Sequence, residues 1–353
     1  MEHQKIIFSN EISASLDALL AEIQYTKLII LTDVNTHQFV LPLLSENAHV
    51  ANATQIVIKS GDLNKNLESL TAVWKQLDDC GATRKALLIN LGGGVVTDLG
   101  GFAASTFKRG IRFINIPTTL LCAVDAAIGG KTGINFNGLK NEIGAFNEAS
   151  AVIISTLFFK TLHIEELKSG YAEMLKHGLI SNAKSYEKLL DYDFEHACAE
   201  HLLSLLEESV EVKKRVVEED PFEKGIRRAL NLGHTVGHAF ESFAMSNHEP
   251  IPHGYAVAWG LVVELIISHI ELGFDSQQLQ RFATFVYENY GAFHVTCDDY
   301  PALLNYMSHD KKSNNGEMNF TLLKEIGDIK IDCIVDAENV KSALDIYRDL
   351  MHI

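Results

Sequence analysis

The 353-residue sequence predicts an α/β unit built on a mostly parallel sheet, followed by a largely helical unit. Three observations carry that expectation. Up to about residue 160, five short apolar runs of strand type, at 27–31, 55–59, 86–90, 112–116 and 151–154, alternate with helix-period stretches such as 67–80. Buried strands interleaved with helices make a parallel sheet covered on both faces, with ligands at the carboxyl ends of the strands. Beyond that point helical periodicity takes over at 165–180, 201–219, 235–245, 256–272 and 276–290, with a small hairpin expected from 319–323 and 329–335. A chain of this length also holds two domains more readily than one. The expected division is 1–160 and 161–353, and with no low-complexity linker the boundary reads as a cleft between packed domains.

Composition narrows the function. Hydrophobic residues make up 47% and charged residues 22%, enough for a sizeable core. Thirty basic against 46 acidic side chains give a formal charge of −16, a surface that repels nucleic acid and anionic membrane. The N-terminus, MEHQK, lacks an apolar signal core. The longest apolar stretch, 255–270, is interrupted by Glu264 and His269 and reads as a buried helix, too short and too polar to span a bilayer. Cys80, Cys122, Cys198, Cys297 and Cys333 are odd in number and show no CxxC spacing, so a reducing cytoplasm is expected and a disulfide framework is not.

Against that acidic background, the motifs gather cations. LGGGVVTDLGG at 91–101 follows a predicted strand and opens a helix, where glycines let backbone N–H groups approach a pyrophosphate. The alternative is a tight strand–helix turn that needs positive φ. Asp33 at one strand end could bind a ribose diol, and Thr118 and Thr119 at another could add hydroxyls. Lys131 sits on a second glycine turn, followed by Lys140 and Asn141; Asp125, Arg109, Lys176, Lys213 and Arg227 lie on further elements. Repeated cations suit a ligand carrying phosphate and carboxylate, although any single lysine is more often a surface residue. In NLGHTVGH, His234 and His238 are spaced i, i+4, which puts them on one helix face as joint metal ligands; His253 is a third imidazole and Glu173 a carboxylate. An isolated HxxxH is otherwise an ordinary surface or satisfied pair.

The ordered set GGGVVTDLGGF (92–102), RGI (109–111), IPTTLL (116–121), VDAAIGGKTGIN (124–135), KNEIGAF (140–146), AEMLKHG (172–178) and RALNLGHTVGHAFE (228–241) resembles the 3-dehydroquinate synthase family of sugar phosphate cyclases. The resemblance runs from about Asp33 to Lys312. It implies a Rossmann-like N-terminal domain, a helical C-terminal domain, and a homodimer. It implies Glu173, His234 and His253 as ligands of a divalent metal, zinc or else cobalt, and moves His238 to a catalytic role on the phosphate side. It places NAD on Asp33, on Gly61, Asp62 and Lys65, on Gly94, Val95, Val96, Thr97 and Asp98, on Thr118 and Thr119, on Lys131 and Lys140, and on Phe158, Phe159, Lys160 and Thr161. An anionic sugar phosphate falls to Arg109, Asp125, Lys131, Lys140, Asn141, Lys176, Lys213, Arg227, Asn231, His238, Lys311 and Lys312.

The sequence departs from the family's pattern in four places. Tyr255 stands where HGE is expected, Ser155 and His163 replace Asp and Pro, and the loop before His253 is lengthened, with His248 inside it as a rival third ligand. The implied chemistry is transient oxidation of a substrate hydroxyl, loss of phosphate, return of the hydride, and an aldol closure to a carbocycle, so that NAD is regenerated at each turnover. Three other readings share parts of this pattern: a sibling cyclase, a metal-dependent dehydrogenase of the glycerol type, and a ligand sensor without catalysis.

Overall fold

A computed structural model describes residues 4–196, 198–309 and 318–353. In its first part the strands are β1 (Lys5–Phe8), β2 (Leu28–Asp33), β3 (Thr54–Ile58), β4 (Leu87–Gly92), β5 (Arg112–Pro117), β6 (Lys131–Phe136), β7 (Leu139–Phe146) and β8 (Ala151–Ile154). Six form one sheet in the order β1-β8-β5-β4-β2-β3, every neighbour parallel. The central runs LIILTD and LLINLG are buried at every position, as a sheet covered on both faces demands. Helices α1 (Ile12–Glu22), α2 (Val34–Phe39), α3 (Ala48–Ala51), α4 (Leu67–Asp79) and α5 (Gly94–Thr106) connect the strands. The chain leaves β2 for β3 on one side and then crosses to β4 on the other. That reversal is the topological switch point, where α/β sheets bind ligands.

Two features of this part lie beyond the sequence reading. β1 adds to the sheet edge by parallel pairing with β8. β6 and β7 form an antiparallel hairpin closed by Asn137 and Gly138, both at positive φ (50° and 78°). Asn-Gly is the strongest short hairpin signal a sequence carries.

The second part holds α6 (Ile164–Ser181), α7 (Ala183–Leu190), α8 (Ala199–Glu219), α9 (His234–Ser246), α10 (His253–Leu272), α11 (Ser276–Tyr290), α12 (Tyr300–Ser308), the antiparallel ribbon β9 (Asn319–Glu325) and β10 (Asp328–Ile334), and α13 (Ala337–Leu350). α10 is its central element. At 20 residues it is longer than the apolar stretch suggested, and by length and composition alone it could cross a membrane. Here residues 256–268 are all buried among their neighbours, as a core helix requires. By packing, the chain divides into one unit of residues 1–163 and 198–207 and another of residues 164–197 and 208–353.

Candidate functional site

In the sheet unit, the candidate nucleotide-binding residues stand at the carboxyl ends of four adjacent strands. Gly61 and Asp62 follow β3, Asp33 ends β2, Gly92 ends β4 and Thr118 follows β5. Asp33 also caps α2: its Oδ1 accepts from the Thr36 N–H at 2.8 Å, while its own N–H donates to Thr36 Oγ1 at 3.0 Å. The glycine turn does not serve positive φ, because Gly92, Gly93 and Gly94 all lie outside the left-handed region. They provide room instead. A Cβ on Gly92 would stand 2.5 Å from Val96 Cγ2, and one on Gly93 would stand 3.3 Å from Thr119 Cγ2. α5 therefore starts from a run of glycines with no side-chain cap, an arrangement suited to an anion. Deeper along α5, a Cβ on Gly100 would fall 2.0 Å from Asn90 Oδ1, so a bare glycine lets the helix lie against β4. Thr97 and Thr119 are held locally, Thr97 Oγ1 donating to Gly94 O at 3.3 Å and Thr119 Oγ1 accepting from the Cys122 N–H at 3.2 Å.

Lys65 joins several of these residues. Its buried ammonium reaches Asp98 Oδ2 at 3.0 Å, Asn141 Oδ1 at 2.5 Å and Asp62 Oδ1 at 3.9 Å. Asn135 ties the β6–β7 hairpin to the same loop, donating to Asp62 Oδ2 at 3.0 Å and accepting from the Asn141 N–H at 2.9 Å. Lys131 and Lys140 are exposed on that hairpin, and Asp125 is half-buried in a π-type turn, Cys122–Ala126. Arg109 is not brought to this edge. It lies exposed at φ 67° beyond the C-terminus of α5, and 13 helical residues put it about 20 Å from Gly93. Phe158 and Phe159 are buried core side chains, whereas Lys160 and Thr161 are exposed. Ser155 caps their turn, accepting from the Leu157 N–H at 3.3 Å.

In the helical unit, Glu173, His234 and His253 converge, with ligand atoms within 4.8 Å of one another. Glu173 projects from the middle of α6 and is fully buried; His234 and His253 are the first residues of α9 and α10. Glu173 Oε1 lies 3.4 Å from His234 Nε2 and 3.5 Å from His253 Nε2. The other nitrogen of each ring has an acceptor: Leu232 O at 3.1 Å for His234 Nδ1, and Glu241 Oε2 at 3.1 Å for His253 Nδ1. Those acceptors place the proton on Nδ1, so a neutral ring turns its Nε2 lone pair toward the carboxylate. Two lone pairs and an anion facing one another call for a cation between them. Neither Glu173 oxygen has a well-formed hydrogen bond, although Lys176 Nζ forms an ion pair with Oε2.

The titration behaviour follows from this crowding. Burial works to raise the Glu173 carboxyl, yet Lys176 and His234 hold it well below the usual carboxylate range. Burial pushes His234 down to about 4. Burial works the same way on His253, but close pairing with the Glu173 and Glu241 carboxylates outweighs it and lifts the ring to about 10. A metal-free centre thus keeps a proton where a cation would sit. One carboxylate and two imidazoles with fixed Nδ1 partners fit a divalent ion of the zinc type.

His238 belongs to an adjacent group with Glu241 and His253, its ring centroid 5.3 Å from that of His234. His248 is in neither group and stands on an exposed loop at φ 61°. Tyr255 packs its ring 5.1 Å from Tyr290 and 5.8 Å from Trp259. Lys176, Lys213 and Arg227 are buried at 1%, 5% and 2% exposure, an unusual concentration of interior cations. Arg227 Nη1 donates to Pro221 O at 2.6 Å, and Asn231 ends the same turn, Ile226–Asn231. Lys311 and Lys312 lie outside the described residues. Sequence reasoning gave no role to Glu241, which sits one turn beyond His238 and holds His253; its i, i+3 spacing from His238 was the available signal.

Family profiles described as 3-dehydroquinate synthase N-terminal and 3-dehydroquinate synthase C-terminal match residues 55–169 and 170–313. The 3-dehydroquinate synthase of Parabacteroides distasonis is 48% identical over 349 residues, 99% of each chain. That of Pyrococcus furiosus is 39% identical over 333 residues, 94% of this chain and 96% of the other. Among solved structures, 2-epi-5-epi-valiolone synthase of Streptomyces hygroscopicus, with NAD+ and Zn2+ bound, aligns with a TM-score of 0.83 at 24% identity, covering 99% of this chain and 98% of that one. Glycerol dehydrogenase of Schizosaccharomyces pombe aligns with a TM-score of 0.65 at 15% identity, covering 99% and 90%. At such identities these structures establish a fold common to cyclases and polyol dehydrogenases.

Proposed function

The chain belongs to the 3-dehydroquinate synthase family, and from that premise we propose how its own residues serve the reaction. The activity is that of a carbon–oxygen lyase that converts 3-deoxy-D-arabino-heptulosonate 7-phosphate to 3-dehydroquinate and phosphate, a step toward the aromatic amino acids. Residues 1–160 bind NAD at the strand ends, and residues 161–353 bind the metal through Glu173, His234 and His253. When bound, the ion would supply Lewis acidity for a substrate hydroxyl, and NAD a reversible hydride acceptor.

The chain's own contribution is neutralisation and orientation. Buried Lys176, Lys213 and Arg227 meet substrate anions without having to be stripped of water on binding. Asn231 orients a hydroxyl, and His238, beside His234, exchanges a proton on the phosphate side. Asp125, Lys131, Lys140 and Asn141 serve the same substrate, as do Lys311 and Lys312, whereas Arg109, exposed beyond the far end of α5, is left out of the set. Glu241 fixes the His253 ring through Nδ1. A reducing cytoplasm suits the five free cysteines, and the enzyme works as a homodimer, which sedimentation would reveal.

The observation that carries the metal reading is the buried Glu173 carboxylate facing two imidazole lone pairs. The test of the whole reading follows phosphate and NADH together, with trace NAD and excess substrate. Phosphate should exceed total NAD many times over while NADH stays near zero. NADH rising in step with substrate loss would establish a dehydrogenase instead.

A further inference from the structure

Two of the three helices that carry the proposed metal ligands begin with the ligand itself, and neither caps its own N-terminus with a side chain. An uncapped first turn leaves N–H groups without partners and frays. A histidine at the first position moves with any such fraying. A metal site tolerates a displacement of only about 0.5 Å in its ligands, so these two helix starts must be held by something else.

For α9 the residue at the cap is Gly233. It has φ 81°, and a Cβ there would stand 2.6 Å from Leu261 Cγ, so glycine is required and no capping side chain is available. Glu264 of α10 supplies the missing acceptor. Its fully buried carboxylate accepts from the Gly233 N–H at 2.6 Å and the Val236 N–H at 3.1 Å. A Cβ on Gly260, one turn earlier on α10, would stand 2.2 Å from Gly233 O, so the two backbones touch at this point. For α10 the cap is Pro252, and here the acceptor comes from α6: Ser169 Oγ receives the Gly254 N–H at 3.0 Å. Gly254 has no room for a Cβ, which would fall 1.9 Å from Ser169 O. Ser169 precedes Glu173 by four residues and so shares its helix face. The three ligand-bearing helices are therefore stitched in series, α6 to α10 through Ser169 and α10 to α9 through Glu264.

We propose that Ser169 and Glu264 are positioning residues of the metal centre, capping from neighbouring helices the two helix starts that present His253 and His234. The proposal rests on the reading that Glu173, His234 and His253 hold the ion. Burying the Glu264 carboxylate is costly, and the α9 N-terminus, with its aligned N–H groups, offsets that cost at the one place where it also fixes a ligand.

The test uses the full chain stripped of metal and titrated with Co2+, whose visible absorption reports ligand geometry, with affinity measured against a competing chelator. Ser169→Ala and Glu264→Gln are close in shape to the native residues, and all titrations are made well below the melting temperature of each metal-free protein. One Co2+ per wild-type chain is expected, with affinity weakened about tenfold or more in each variant, an altered cobalt spectrum, and activity recovered at saturating Co2+. If wild type binds Co2+ and His253→Ala loses it, while both variants keep the wild-type affinity and spectrum, the proposal is overturned and the metal reading stands; lowered melting temperatures without a change in cobalt binding overturn it equally. If wild type itself takes up no Co2+, the metal reading falls and the proposal falls with it.

Discussion

In the sheet unit the candidate ligand-binding groups stand on strand ends and the loops that follow them, whereas in the helical unit they stand on helix starts and helix interiors. The glycines show what that difference means. Gly93 leaves space beside Thr119 at an open helix N-terminus, room that a ligand can use. Gly254 and Gly260 leave space that is already taken by the backbones of α6 and α9. One unit keeps its site by holding a surface clear; the other keeps its site by packing three helices until their side chains meet. Errors in the first should cost binding, and errors in the second should cost stability and metal together.

The largest effect expected is at the metal centre. His253→Ala should lower metal affinity by at least about 10²-fold and abolish turnover, whereas His248→Ala on its exposed loop should keep one ion per chain. Metal analysis of the two purified variants decides this, and loss confined to the His248 variant would show that the lengthened loop, not the helix start, completes the shell. The next effect sharpens the contrast between glycines. Gly254→Ala should destabilise by about 3 kcal/mol, because its Cβ meets backbone that cannot swing aside. Gly93→Ala should cost less than about 1 kcal/mol in urea unfolding, since the Thr119 side chain can give way, yet it should weaken NAD binding about tenfold by filling the turn. Equal losses of stability in the two variants would break the comparison.

The smallest effect belongs to the ribbon. Arg228 Nη1 holds Asp332 at 2.8 and 2.7 Å in a largely exposed pair. Partial burial works to raise the Asp332 carboxyl, but hydrogen bonds from Asn319 and Arg228 bring it below its ordinary 3.8. A carboxyl with a depressed folded pKa stabilises the fold above its unfolded value and loses that contribution as pH falls through the folded one. Asp332→Asn should therefore cost less than about 1 kcal/mol at neutral pH, after allowance for solvent screening. The difference from wild type should vanish well below pH 4, in parallel denaturation curves.

Local patterns exposed most of the architecture. The runs at 27–31 and 86–90 became β2 and β4, and the helical stretch at 276–290 became α11, because buried strands and amphipathic helices write their period into neighbouring residues. β1 escaped because it is four half-exposed residues whose reason for being a strand is β8, far along the chain. The β6–β7 hairpin escaped because β7 is exposed nearly throughout, so no apolar alternation marks it; its Asn-Gly turn was the readable sign. At the metal centre, spacing drew attention to His234 and His238, since i, i+4 contacts are local. The meeting of Glu173 with His253 depends on a helix–helix approach, which no spacing within one helix encodes. Glu264 was visible only as an acid interrupting an apolar stretch; its role lies in the Gly233 and Val236 N–H groups, 31 and 28 residues away.

The pairing of β1 with β8 also sets a timetable for biosynthesis. Lys5 is partnered with Ala151, so β1 must wait for almost 150 further residues before its neighbour exists. At ordinary elongation speeds that wait lasts roughly 7–30 s, whereas β2, β3 and β4 can assemble from segments translated close together. β1 therefore cannot take its place in the sheet before β8 has been made. During that interval KIIF is an unsatisfied edge on a growing polypeptide, and its brevity and the lysine at its head limit what else can pair with it.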